Sequence, residues 1–193
     1  MAVPAGLFGA DLPDGFHYAA GFVSVDDERR LADAIARVEF NTFEMRGVVA
    51  RRRVAFFGAT YDAGATAPRA IPEFLFDLRS RLAGWARVEP AAFAMALINE
   101  YSPGAPIGWH RDAPQYDIVA GVSLLSSCRM RFRRYEKGGI ATGPRTRRTA
   151  THELLLEPRS AYLMTGPSRQ EYEHHIPAVS SLRYSITFRT LRQ

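Results

Sequence analysis

Trp109-His110-Arg111-Asp112 follows the turn-rich Ser102-Pro103-Gly104 and precedes a strand-like run, so it sets an imidazole and a carboxylate two residues apart. In extended chain, residues i and i+2 face the same way, and both side chains can address one point. That is two-thirds of a metal site. A third donor must come from far along the chain, and Glu173-His174-His175-Ile176 offers one. Two histidines and one carboxylate that leave coordination positions open describe the site of non-haem Fe(II) oxygenases.

The last strand-like run supports this chemistry. In Leu182-Arg183-Tyr184-Ser185-Ile186-Thr187-Phe188-Arg189 the apolar residues fall on one face, with Arg183, Ser185, Thr187 and Arg189 on the other. Two guanidiniums on one face can hold a small dicarboxylate, because arginine pairs with carboxylate in bidentate fashion. Asn99 and Tyr101, two apart on the run that enters the His110 turn, add neutral donors. A metal triad beside a diacid clamp points to 2-oxoglutarate.

Several elements must hold these residues. Ser24 opens an amphipathic helix with Asp26, Asp27 and Glu28 in its first turn and Leu31, Ala34, Ile35 and Val38 on its apolar stripe. A second helix is predicted from Pro72, burying Phe74, Leu75, Leu78, Leu82 and Trp85. Residues 41 to 70 read as hairpins or mobile loops around Gly47, Gly58, Gly64 and Pro68. After Pro90 six strands are expected, at 92–101, 117–125, 128–135, 151–157, 160–165 and 182–191. Short strands at this spacing, without long helices between them, predict a β-sandwich or barrel in an α+β chain. Gly138 to Arg148 is the expected long loop.

At 193 residues the chain makes one domain, and 47% hydrophobic with 23% charged content is ordinary globular composition. The single cysteine, Cys128, excludes an internal disulfide and a multi-cysteine metal site, and fits a reducing compartment. No apolar run reaches membrane-helix length, and the N-terminus lacks the basic start of a signal peptide, so the chain is expected to be cytoplasmic. A net charge of +5 favours a polyanionic partner, although all the basic residues but Lys137 are arginine. His152-Glu153 is no zinc-protease helix, since Leu156 stands four after His152. The chain has no glycine-rich phosphate loop.

Taken together, Asn99-Glu100-Tyr101-Ser102-Pro103-Gly104, His110-Arg111-Asp112, His174-His175-Ile176-Pro177 and Arg183 to Arg189 resemble the AlkB family of Fe(II)/2-oxoglutarate dioxygenases, in order, spacing and residue type. The resemblance covers roughly residues 93 to 192. It implies a double-stranded β-helix, or jelly-roll, core at 91–193 behind N-terminal helices and a substrate lid at 1–90. It makes His110, Asp112 and His174 the iron ligands, His174 being preferred because it stands two before Ile176. Arg183, with Tyr101 and Ser185, would bind the distal carboxylate of 2-oxoglutarate, while Arg189 and Asn99 would sit nearer its chelating end. The implied cofactors are Fe(II), 2-oxoglutarate and O2. The implied reaction is oxidative removal of N-alkyl groups from nucleobases, as in alkylation repair or demethylation, with alkylated DNA or RNA as partner and no obligate protein partner.

Substrate contacts are expected from the lid, where Arg51, Arg53, Phe57 and Tyr61 combine phosphate-holding cations with stacking rings. Arg129, Arg131, Arg133 and Arg134 form a second basic stripe. One departure bears on the target. Members that repair nucleotides carry an acid shortly after the metal aspartate, whereas Ala113-Pro114-Gln115 follow here. The alternatives are the same chemistry on a protein side chain or small molecule, and a non-catalytic jelly-roll that binds nucleic acid through its arginines.

Overall fold

The computed structural model describes residues 12–45, 48–59, 69–135 and 150–192. The hairpins or loops expected at 41–70 are covered only in part, and Tyr61 and the long loop expected at Gly138 to Arg148 lie outside the described residues.

Two antiparallel sheets form the core. The larger contains β1 (Phe16–Ala19), β2 (Asn41–Met45), β3 (Val48–Gly58), β4 (Phe93–Tyr101), β6 (Tyr116–Leu124), β9 (Ala161–Met164) and β11 (Arg183–Leu191), in the order β1-β9-β6-β11-β4-β3-β2. The smaller contains β5 (Ile107–His110), β7 (Cys128–Arg134), β8 (Thr151–Leu156) and β10 (Tyr172–Ile176), in the order β5-β10-β7-β8. Consecutive strands alternate between the sheets from β4 to β7, which is jelly-roll connectivity. All six strands expected after Pro90 are present within about two residues of their expected ends.

The larger sheet is covered on both faces. One face, with Ala55, Phe57, Ala96, Ile98, Val122, Ile186 and Phe188, packs beneath α1 (Val25–Ile35) and α2 (Phe76–Ala86). The other face turns Tyr101, Val119, Tyr162 and Met164 toward Met130, Phe132, Leu156 and Ile176 of the smaller sheet. Burial on both sides explains why β11 is buried from Arg183 through Thr190, its polar alternate residues included. A strand with one wet face would expose them. Ser24 caps α1 by accepting from the Asp27 amide at 3.0 Å while the Asp27 carboxylate accepts from the Ser24 amide. The second helix starts as a tight turn at Glu73–Leu75 before α2, buries Leu75, Leu78 and Leu82, and ends at Arg87 with φ 58°.

Within 41–58 the expected hairpin is present as β2 and β3, and β3, eleven residues long, also pairs with β4 and so joins the main sheet. The short strands β5 and β10, and the helix α3 (Gly166–Gln170), were not expected from the sequence. No helix among the described residues is long and apolar enough to cross a membrane.

Candidate metal and co-substrate site

Strand register arranges the site in rows on the face that looks toward the smaller sheet. Tyr101 pairs with Arg183 in the first row, and Val54, Asn99, Ser185 and Ser123 make the second. Phe56, Leu97, Thr187, Gly121 and Tyr162 form the third, and Met95, Arg189, Val119 and Met164 the fourth. From the opposite sheet β10 brings His174 against His110 of β5 as a cross-strand pair. Their ring centroids lie 4.2 Å apart. His175 alternates to the outer face and stacks on Trp109 at 5.0 Å.

Asp112 stands just beyond β5, with its Oδ2 3.8 Å from His174 Nε2. Its other oxygen, Oδ1, accepts from Arg189 Nε at 3.0 Å and Nη2 at 2.6 Å. Burial opposes the charge on this acid, but Arg189, followed by His174 and His110, outweighs it and holds the carboxyl well below the usual range. His174 is pushed down to about 3, first by burial and then by His110. His110 is lowered as well, chiefly by desolvation. At neutral pH the set is one carboxylate and two neutral imidazoles, the protonation state a metal needs. Oδ2 of Asp112 is buried and has no hydrogen-bond partner among the described residues. Among those residues no three histidine, cysteine or carboxylate side chains stand close enough together, as they lie, to hold a metal ion. His174 thus lies against both Asp112 and His110, and donors of these types suit a divalent transition metal.

The other end of this face is built on Arg183. Its side chain is only 1% exposed, it donates from Nε to Ser123 Oγ at 3.0 Å, and it lies over the Tyr101 ring. Its Nη1 is buried without a hydrogen-bond partner among the described residues. Leaving such a donor unmet is costly, and a carboxylate would satisfy it. Asn99 donates to Ser185 Oγ at 3.4 Å and accepts from Arg52 Nε at 3.1 Å. The structure therefore brings Asn99, Tyr101, Arg183, Ser185 and Arg189 onto one wall.

The lid residues divide differently. Val54 pairs with Asn99 and shares its face, so strand alternation turns Arg52 and Phe56 toward the site and Arg53 and Phe57 away from it. Phe57 is 2% exposed in the helix-side core, and Arg53 makes a forked pair with Glu100 at 2.7 and 2.9 Å. Both face away from Asn99 and Ser185, and Arg52 is the cation that β3 turns inward. Arg51 is exposed near Gly104. The stripe on β7 is an ion-pair ladder: Glu153 takes Arg129 and Arg131, Glu173 takes Arg133, and Glu171 takes Arg134.

Sequence reasoning missed Ser123 and Tyr162. The alternation of β6 carried a signal for Ser123, since 119, 121 and 123 share a face. Tyr162 leans over Gly121 so closely that a β-carbon there would come within 2.3 Å of the ring. Burial, and the charge of Asp112 after it, raise its phenol well above the ordinary range.

A jelly-roll that sets two imidazoles, a carboxylate and a buried guanidinium between its sheets has the architecture and the residue types of an oxygenase. Residues 35–189 match the 2OG-Fe(II) oxygenase superfamily, and the chain belongs to that family. Its members use Fe(II), 2-oxoglutarate and O2. The alkylated DNA repair protein ALKBH8 homolog of Arabidopsis thaliana is 26% identical over 227 residues, covering 98% of this chain and 62% of that protein. The tRNA (carboxymethyluridine(34)-5-O)-methyltransferase ALKBH8 of Mus musculus is 27% identical over 177 residues, covering 86% and 24%. The chain thus spans less than two-thirds of either relative. Among solved structures, OsALKBH1 superimposes with a TM-score of 0.62 at 17% identity, over 91% of this chain and 98% of that one. A Pseudomonas putida prolyl-4-hydroxylase gives 0.61 at 16% identity, over 93% of each. Both share the fold.

Proposed function

We propose that this oxygenase removes N-alkyl groups from nucleobases in DNA or RNA, with His110, Asp112 and His174 holding Fe(II) and Arg183 holding 2-oxoglutarate. The observation that carries the site assignment is the pair of buried, unmet polar atoms, Asp112 Oδ2 and Arg183 Nη1, the first on an acid held by Arg189 and the second six residues back along the same face of β11. The naming of the curated relatives and the +5 net charge favour a nucleic-acid target. A reducing cytoplasmic setting suits Cys128, a buried free thiol.

Iron with its co-substrate and O2 supplies the oxidising power, converting 2-oxoglutarate to succinate and CO2 while one oxygen atom enters an alkyl C–H bond. The remaining work belongs to the chain. Arg183, oriented by Ser123 and Tyr101, takes the distal carboxylate. Asn99 and Ser185 offer neutral donors beside it. Arg189 keeps Asp112 ionised and aimed at His174. Val54, Phe56, Met95, Leu97 and Tyr116 cluster into an apolar wall that limits water at the reacting carbon. Once that carbon bears a hydroxyl, its bond to nitrogen breaks, releasing an aldehyde and the bare amine.

The test is incubation with N-methylated oligonucleotides while following succinate, formaldehyde and the restored base. Restoration is expected in the wild type and lost when His110→Ala and Asp112→Ala are combined. Restoration that survives the double change removes the metal site from the account. A second reading keeps the chemistry and moves it to a protein side chain or small molecule. It is favoured by Ala113-Pro114-Gln115, which offer no acid to an exocyclic amine. A methylated or proline-containing peptide panel turned over faster than every oligonucleotide would select it.

A further inference from the structure

Arg169 sits on α3, between β9 and β10, yet its residue is only 5% exposed. Its Nη2 donates to the backbone carbonyl oxygen of Ala113 and, at 3.0 Å, to that of Tyr116. Those carbonyls bracket the turn after Asp112, which is itself closed by the Tyr116 amide donating to the Ala113 oxygen at 3.2 Å. On the other side of the acid, Arg111 Nη1 donates to the Gln170 carbonyl oxygen at 3.2 Å. The Asp112 loop and α3 are therefore stitched together on both flanks of the acid, and α3 leads within four residues to His174. A buried guanidinium is costly, and the Nε of Arg169 has no hydrogen-bond partner among the described residues. Apolar packing would spare that cost but could not grip two carbonyl oxygens.

We propose that Arg169 is a positioning residue: by clamping the Ala113 and Tyr116 carbonyls it holds the Asp112 loop in register with His174, so that acid and imidazole meet correctly when a metal binds. This rests on the reading of His110, Asp112 and His174 as the metal ligands. Arg169 itself touches none of the reacting groups.

Mn(II) binding, followed by the loss of the free-ion EPR signal, tests it in full-length protein without any nucleic acid. Thermal unfolding is recorded alongside. Arg169→Met keeps the stem and removes the donors, and it is expected to weaken Mn(II) binding by about 10–100-fold, the usual consequence of losing a group that orients a ligand. Arg169→Lys, which can reach one carbonyl, should fall between. Ser24→Ala serves as the comparator for general destabilisation, and its Mn(II) affinity is expected to stay within about twofold of wild type, since distant sites act independently. Wild-type affinity in Arg169→Met overturns the proposal. Should that variant not fold, wild-type affinity in Arg169→Lys overturns it equally. A wild-type protein whose Mn(II) binding is indifferent to His110→Ala brings down the metal-site reading, and the proposal with it. That result differs from one in which the metal site works and Arg169 is silent.

Discussion

At the scale of single residues, Arg183 and Asp112 share a predicament: each is buried with one polar atom unmet and another committed. Arg183 donates from Nε to Ser123 and leaves Nη1 unmet among the described residues. Charge-assisted hydrogen bonds contribute about 1.5–3 kcal/mol, so Arg183→Met should raise the KM for 2-oxoglutarate at least about tenfold, measured as succinate release. Ser123→Ala removes only the orienting acceptor and should raise it less. An unchanged KM in Arg183→Met would place the co-substrate elsewhere. Asp112 is tied to Arg189, which is 8% exposed, and removing one partner of a buried ion pair leaves the other uncompensated. Asp112→Ala is thus expected to cost about 3–5 kcal/mol of stability in metal-free protein, read by denaturant unfolding, besides abolishing metal binding. A ligand that served only the metal would show no such loss.

Strands and helices decide which face each of these residues meets, and here legibility from the sequence was uneven. The His110 and Asp112 spacing and the alternation from Arg183 to Arg189 stand out because both rest on a period of two, which local chain geometry imposes. The partnership of Arg189 with Asp112 could not be read, since it depends on how β11 lies against a loop 77 residues away in sequence. In β3 the run Arg51-Arg52-Arg53 hides the alternation, so the sequence does not say that Arg52 is the one turned toward Asn99, nor how long a strand the hairpin carries. The four- and five-residue strands β5 and β10 are too short to carry a period. Cross-strand packing yields its own prediction at Gly121. A β-carbon there would collide with the Tyr162 ring, which stacks on Phe16 at 5.9 Å and is hemmed in. Gly121→Ala should cost about 1–3 kcal/mol, and adding Tyr162→Leu should recover part of the loss, a coupling that a double-mutant cycle detects. On α1, Ser24 lowers the Asp27 carboxyl by hydrogen bonding. A depressed acid stabilises the fold above its unfolded value near pH 3.9 and loses that contribution as pH falls through the folded value. Ser24→Ala should therefore cost about 1 kcal/mol at neutral pH, and the penalty should shrink below about pH 4 in thermal melts.

For the molecule as a whole, the question is where its positive charge can act. The net +5 is real, but the most conspicuous arginine stripe lies on the outer face of the smaller sheet and is answered there by Glu153, Glu171 and Glu173. An arginine already paired with a carboxylate exchanges one anion for another when a phosphate arrives, so it adds little to the counterion release that drives nucleic-acid binding. Arg51 is different in place: it is exposed beside Gly104, at the turn leading from Tyr101 toward His110. The two locations make opposite predictions for the salt dependence of oligonucleotide binding, measured by fluorescence anisotropy between low and physiological salt. Arg51→Gln should reduce the slope of log affinity against log salt by about 0.7–0.9, one phosphate contact's worth. Arg129→Gln combined with Arg131→Gln should change that slope by less than a single contact despite removing two charges. If the double change flattens the slope by two contacts and Arg51→Gln does nothing, nucleic acid approaches over the smaller sheet, and the face of β11 that carries Arg183 and Arg189 would have to be reached from the opposite side.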